Sequence, residues 1–204
     1  MNKDKFIYEK RLWRKGLSVV AGADEVGRGA LAGPIVAAAV VFSPSIAKVK
    51  GSWLQEIKDS KKLSAAKREY LYKKIVLSAR AVAVVKITNT VIDQSGIQVA
   101  NINSVIKAVK IIKPKVEYLL LDYIGGFNLD LPHQCIVKGD QKVFSIACAS
   151  IIAKVYRDRL MARLGKKYPQ YNWAKNKGYG SLGHRQAIKK FGLSPLHRKS
   201  FSIS

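Results

Sequence analysis

Two adjacent carboxylates, Asp24 and Glu25, close an apolar segment and are followed at once by Val26-Gly27-Arg28-Gly29. Two more acids bound apolar runs: Asp122 follows Leu119-Leu120-Leu121, and Asp140 ends Lys138-Gly139-Asp140. Acids are scarce here, 13 Asp plus Glu in 204 residues, so these four stand out. If they converged, pairs ~4 Å apart would repel by ~1–4 kcal/mol at moderate dielectric, which a hard divalent cation would relieve. Oxygen-only donors favour Mg²⁺ or Mn²⁺ over zinc, and two such ions ~3.5–4 Å apart stabilise both the attacking and the leaving oxygen of a phosphodiester. Taken singly, each acid is as readily a helix cap or a surface group, and Asp24-Glu25 a polar turn. Spacing alone does not prove convergence. On a regular strand Asp24 and Glu25 point to opposite faces, so joint action needs a local bend, or Glu25 reaching from the neighbouring face.

Gly27, Gly29 and Gly33 form G-x-G-x-x-x-G, one residue longer than the dinucleotide fingerprint, and the residues after Gly33 are strand-like, with no helix N-terminus to hold a pyrophosphate. No G-x-x-x-x-G-K-[ST] run occurs. Glycines at these positions let backbone N–H groups approach a phosphate-sugar chain closely. Cys135 and Cys148 make neither a C-x-x-C pair nor a disulfide framework, and Cys148 is expected in the core. His133 and Cys135 are too sparse for a metal site.

The elements that would carry these groups alternate. Residues 18–23 and 34–42 read as two strands around the glycines, a hairpin in outline. Residues 64–77 read as a helix with Ser64 as N-cap, followed by a strand at 81–87. A helix over 95–112, stopped by Pro114, leads to a buried strand at 116–121 ending in Asp122. Residues 143–164 place Phe144, Cys148, Ile151, Ile152, Val155 and Leu160 at helical spacing. Beyond Tyr168 the chain turns to aromatics, Gly, Lys and Asn, with a short helix at 183–190. This is an α/β pattern, and with no internal repeat or long linker the expectation is one domain over residues 1–204.

Charge narrows the partners. Lys plus Arg number 37, giving a net charge of +24, which attracts polyanions, nucleic acid first. With 48% hydrophobic residues the chain is globular in composition. The longest apolar run, Gly33 to Phe42, is too short to span a bilayer, and the charged N-terminus lacks a signal peptide's apolar stretch, so a cytoplasmic protein is expected.

Ordered blocks carry a family resemblance: Asp24-Glu25-Val26-Gly27-Arg28-Gly29, Leu31-Ala32-Gly33-Pro34, Asp59-Ser60-Lys61-Lys62-Leu63, Leu119-Leu120-Leu121-Asp122 and Lys138-Gly139-Asp140. They continue through Ala149-Ser150-Ile151-Ile152-Ala153-Lys154-Val155, Arg157-Asp158, Lys177-Gly178-Tyr179-Gly180 and Ser194-Pro195-Leu196-His197-Arg198-Lys199-Ser200-Phe201. In these blocks the chain resembles the type 2 ribonuclease H family, in its bacterial ribonuclease HII branch. The resemblance implies a ribonuclease H-like fold, a mixed five-stranded sheet flanked by helices, with residues about 168–204 as a C-terminal helical extension that clamps substrate. It implies an endoribonuclease that hydrolyses the RNA strand of RNA-DNA hybrids and cuts 5′ of ribonucleotides embedded in duplex DNA, leaving 3′-hydroxyl and 5′-phosphate ends.

By the same resemblance Asp24, Glu25, Asp122 and Asp140 are the catalytic, metal-binding carboxylates, serving two Mn²⁺ or Mg²⁺ ions. Gly27, Arg28 and Gly29 with Tyr179 check the ribose 2′-hydroxyl, the group that separates RNA from DNA. Ser60, Lys61 and Lys62 hold substrate, the lysines through backbone phosphates. Asp158, between Arg157 and Arg159, is expected to make a structural ion pair, and His184 and His197 to lie at the surface. A monomer is expected, and a sliding clamp or polymerase is the kind of partner that would recruit it.

Two departures stand out, Asn176 where the family has His before Lys-Gly-Tyr-Gly, and Ser181 where it has Thr. Both keep hydrogen-bonding groups, so tuned affinity is expected. Two rivals differ in class or substrate: a non-catalytic basic RNA-binding protein, which leaves the four acids unexplained, and a junction resolvase on the same fold, which would cut branched DNA without ribonucleotides.

Overall fold

The computed structural model describes residues 4–57 and 60–203; Asp59 lies outside them. Helix α1 (Ile7–Trp13) precedes β1 (Val20–Val26) and β2 (Ile35–Val41). Then come α2 (Ser52–Glu56), α3 (Ala65–Ser78), β3 (Ala81–Ile87), α4 (Asn89–Ser95) and α5 (Ile97–Ile111). The chain continues through β4 (Tyr118–Asp122), β5 (His133–Ile136), α6 (Gly139–Lys142), α7 (Phe144–Lys167), α8 (Trp173–Asn176) and α9 (Leu182–Phe191).

The strands form one mixed sheet in the order β3-β2-β1-β4-β5. Its β1–β2 and β2–β3 pairs are antiparallel, while β1–β4 and β4–β5 are parallel. Every residue of β2 is buried because helices cover both faces. Its even residues Val36, Ala38 and Val40 pack in one layer with α3 and α7. Its odd residues Ala37, Ala39 and Val41 pack in the other layer with α5 and with Ala21, Ala23, Leu119 and Leu121 of β1 and β4.

The strand and helix assignments for β1, β2, α3, β3, β4, α7 and α9 agree with the sequence reading to within a few residues. Ser64 caps α3 as expected, its hydroxyl accepting the Lys67 amide at 3.2 Å. The helix expected over 95–112 begins instead at Ile97. Gly96, at a φ of 78°, donates its N–H to the Ile92 carbonyl to end α4 and starts α5 in a new direction. The short elements α1, α2, α4, α6, α8 and β5 escaped the pattern; α1 is rich in charge, and β5 is an edge strand with only Ile136 buried.

Helix α7 lies against β1 at very close range. A Cβ at Gly22 would stand 2.3 Å from the Ser145 carbonyl carbon, so only glycine permits this approach. The N-terminus of α7 is capped from a distance by Glu9, whose Oε1 accepts the Ser145 amide at 2.8 Å and the Ser145 hydroxyl at 2.7 Å. At the far end of α7, Met161 packs with Leu31, Ala32, Tyr171, Trp173, Ala187 and Ile188, which joins the C-terminal helices to the loop after β1. Among the described residues no helix is long and apolar enough to cross a membrane.

Candidate active site

The carboxyl ends of β1 and β4, the start of α6 and the middle of α7 enclose a cavity of about 520 Å³. Its lining includes Asp24, Glu25, Asp122 and Asp140, together with Gly27, Arg28, Gly29, Ser60, Lys61, Ser150, Lys154 and Tyr179. Strand alternation sends Asp24 to the α7 side, where Ser150 is its hydrogen-bond partner. It sends Glu25 to the α5 side, where the Asn101 side-chain amide donates to Glu25 Oε1 at 3.1 Å. The two acids thus point to opposite faces, and both line the cavity because β1 ends there.

Asp122, on the last residue of β4, accepts the Gly139 amide at 3.0 Å through Oδ1. That bond docks the Lys138-Gly139-Asp140 turn on the strand end and brings Asp140, itself buried, to the cavity wall. Burial pushes the Asp24 carboxyl well above its ordinary pKa, and the negative charges of Glu25 and Asp122 push it further, against the Ser150 hydrogen bond. Burial also raises Glu25, opposed by Asn101 and by Arg28, whose guanidinium lies 3.8 Å from Glu25 Oε1. So much negative charge in a desolvated pocket is the environment a hard cation stabilises. Among the described residues no three His, Cys, Asp or Glu side chains are grouped to hold an ion by themselves. The acids that line the cavity offer only oxygen donors, a set that suits a hard divalent cation.

The substrate-side residues divide. Gly27, at a φ of 97°, would put a Cβ 2.3 Å from Arg157 Nε, so the fold itself requires glycine there. Gly29 has no such reason: a Cβ there would meet nothing within 4 Å and its φ is not left-handed. Tyr179 is held beside Ala30 by an isolated β-bridge, and its ring lies 5.3 Å from the Arg157 guanidinium and 5.9 Å from Lys154 Nζ. Lys61 lines the cavity; Lys62 is exposed one residue along and does not. Ser60 is buried, its hydroxyl 2.9 Å from that of Ser150, so it belongs to a hydroxyl chain ending on Asp24.

Asp158 forms ion pairs, with Lys154 at 2.8 Å and Arg68 at 3.7 Å, and its neighbour Arg157 is engaged elsewhere. The surface placement expected for His184 and His197 is wrong. Both are buried among Tyr171 and Trp173, with His184 Nε2 3.1 Å from His197 Nε2 and accepting the Trp173 indole N–H at 3.0 Å. His184 Nδ1 lies 2.9 Å from the Tyr179 carbonyl, and His197 Nδ1 accepts the Ser194 amide at 2.8 Å. Every ring nitrogen has a partner, which is what makes burial affordable. Sequence reasoning gave no role to Asn101, Ser150 or Lys154; the signal for the last two was their four-residue spacing on α7, and for Asn101 a polar side chain on the buried face of α5.

A sequence model of the family described as ribonuclease HII matches residues 21–203. Ribonuclease HII of Dehalococcoides mccartyi is 48% identical over 194 residues, covering 95% of this chain and 90% of that protein. The crystal structure of ribonuclease H2 from Pyrococcus horikoshii superposes with a TM-score of 0.76 at 26% identity, covering 90% of this chain and 94% of that one. The structure of Bst-RNase HIII in complex with Mn²⁺ shares the fold, with a TM-score of 0.69 at 23% identity over 91% of this chain and 67% of that one.

Proposed function

The chain belongs to the ribonuclease HII family and is a type 2 ribonuclease H, and from that premise we propose that it cuts the phosphodiester on the 5′ side of a ribonucleotide in duplex DNA, and the RNA strand of hybrids, leaving 3′-hydroxyl and 5′-phosphate ends. The observation that carries this reading is the lining of one cavity by all four acids, the Gly27-Arg28-Gly29 loop and Tyr179. Asp24, Glu25, Asp122 and Asp140 would hold two divalent ions, Mn²⁺ or Mg²⁺; a fold neighbour carries Mn²⁺. When bound, the ions supply charge stabilisation at the attacking and leaving oxygens.

The protein's own groups orient the substrate. Lys61 and Lys154 line the cavity, Lys154 with its ammonium paired to Asp158 at 2.8 Å, so a phosphate entering there would meet a basic edge that exposed Lys62 extends. The Arg28 and Gly29 backbone faces the sugar, and Tyr179 offers a ring for stacking and a hydroxyl for the 2′-oxygen. Asn101 and Ser150 fix the rotamers of Glu25 and Asp24 before any ion arrives. The C-terminal helices, packed behind Tyr179, would clamp the far side of the duplex. No Thr is needed at position 181, because the Ser181 hydroxyl accepts the His184 amide at 3.3 Å and caps α9. Asn176 likewise holds the turn locally, its Oδ1 accepting the Gly178 amide at 2.8 Å.

Replacing Asp24 by Asn removes a carboxylate that could bind a cation while keeping the side chain's shape. The expected result is cleavage reduced by about 10³-fold or more, with duplex affinity in chelator within about threefold of wild type. Normal turnover by Asp24→Asn would sink the assignment.

A further inference from the structure

Two side chains outside the carboxylate cluster decide which way the loop after β1 faces. Arg157 on α7 and Arg198 near the C-terminus are 0% and 1% exposed. Burying a guanidinium is costly unless its N–H groups are satisfied, and among the described residues no salt bridge closes on either. Burial and the nearby Arg157 charge lower the Arg198 pKa to about 9, which leaves it charged at neutral pH.

Peptide carbonyls carry both charges. Arg157 donates to Pro34 O at 2.9 Å, Ala32 O at 3.1 Å and Lys177 O at 2.8 Å. Arg198 donates to Gly33 O at 3.1 Å, Arg28 O at 2.7 Å and Gly27 O at 2.7 Å. All but the Lys177 carbonyl belong to the Gly27–Pro34 loop. In a trans peptide the N–H points opposite to the C=O. Drawing the Gly27 and Arg28 carbonyls onto Arg198 therefore turns the N–H groups of Arg28 and Gly29 away from it, on the loop that lines the cavity. Neither amide donates to another backbone group among the described residues. The result is two adjacent donors held open by a buried charge behind them, with Tyr179 beside them and Arg157 beneath its ring.

We propose that Arg198 is a positioning residue for ribose selection: it fixes the Gly27 and Arg28 carbonyls so that the Arg28 and Gly29 amides meet a ribonucleotide's 2′-hydroxyl, with Arg157 as the second strut. This rests on reading the cavity as a ribonucleotide site. A lysine at 198 keeps the charge, but its rotatable ammonium replaces the rigid planar fork whose three nitrogens reach the Gly33, Arg28 and Gly27 carbonyls from fixed directions, so it does not hold those peptides in one orientation.

The test is fluorescence anisotropy in chelator, comparing a duplex containing one ribonucleotide with an all-DNA duplex of the same sequence. Wild type should prefer the ribonucleotide duplex. Arg198→Lys should lose about fivefold or more of that preference, while its all-DNA affinity stays within about twofold. Retained preference in a folded Arg198→Lys protein overturns the positioning role. If that variant melts below the assay temperature, Arg198→Gln, which keeps one amide donor and removes the charge, replaces it; loss of fold in both makes Arg198 purely structural and overturns the proposal. A wild type with no ribose preference would instead overturn the reading of the cavity, and the proposal with it.

Discussion

Gly29→Ala separates what the fold needs from what the substrate needs. At this position an added methyl meets no protein atom within 4 Å, and the backbone φ is not left-handed. Alanine then narrows the unfolded ensemble at no cost to the folded state, a gain of ~0.4–1 kcal/mol. For a chain of this size that raises the melting temperature by roughly 1–4 °C. The same methyl stands on a cavity-lining residue between Arg28 and Ala30. A sugar-phosphate chain that rests on this peptide would be held off by ~1 Å, a misplacement that costs on the order of 10²-fold in rate. Thermal melting and single-turnover cleavage of a duplex with one ribonucleotide read the two effects separately. Gly27→Ala is the contrast, since its methyl would collide with Arg157 and lower stability and rate together. A Gly29→Ala protein that is destabilised, or that cleaves within about threefold of wild type, would refute the argument.

Gly22→Ala should be among the most damaging single-methyl changes in the chain, because its Cβ would lie 2.3 Å from the backbone of Ser145 and drive α7 off β1. Overpacking of this kind costs ~1–3 kcal/mol or more, and urea denaturation should show the midpoint fall; an unchanged midpoint would mean α7 has slack at this contact. The buried histidines set an acid response. Burial first, and His184 second, lower the His197 pKa to about 4 from the ordinary 6.5, and burial lowers His184 in the same direction. The unfolded state then binds more protons between those values, so stability is full above pH 6.5 and declines as pH falls toward 4, by roughly 3 kcal/mol from His197. His197→Asn keeps an acceptor for the Ser194 amide and cannot titrate, so its stability should fall less steeply over that window; parallel curves would contradict the linkage.

The sheet and its long helices were legible because their patterns are strong: β2 is apolar on every residue, and α7 repeats its buried side chains over 24 residues. The four acids were legible because they interrupt such runs in an acid-poor chain. Helix α4 was hidden because its seven residues bury only Asn89 and Ile92, too few to show a period before Gly96 ends the helix and α5 begins at Ile97. Edge strand β5 was hidden because an edge of four residues with one buried side chain has no pattern to read. The histidines were misplaced for a different reason: polarity suggests exposure, and only the tertiary structure shows that Trp173, Ser194 and Tyr179 satisfy their nitrogens. Arg157 and Arg198 depend on contacts across as many as 125 and 171 residues of chain, which no local spacing encodes.

The most direct test of the central claim is cleavage of an end-labelled DNA duplex carrying one ribonucleotide, with an all-DNA duplex beside it, in Mg²⁺, in Mn²⁺ and in chelator. The account predicts one cut immediately 5′ of the ribonucleotide, dependent on the divalent ion, and none in the all-DNA duplex. Cutting of both duplexes, or a cut that persists in chelator, would contradict it.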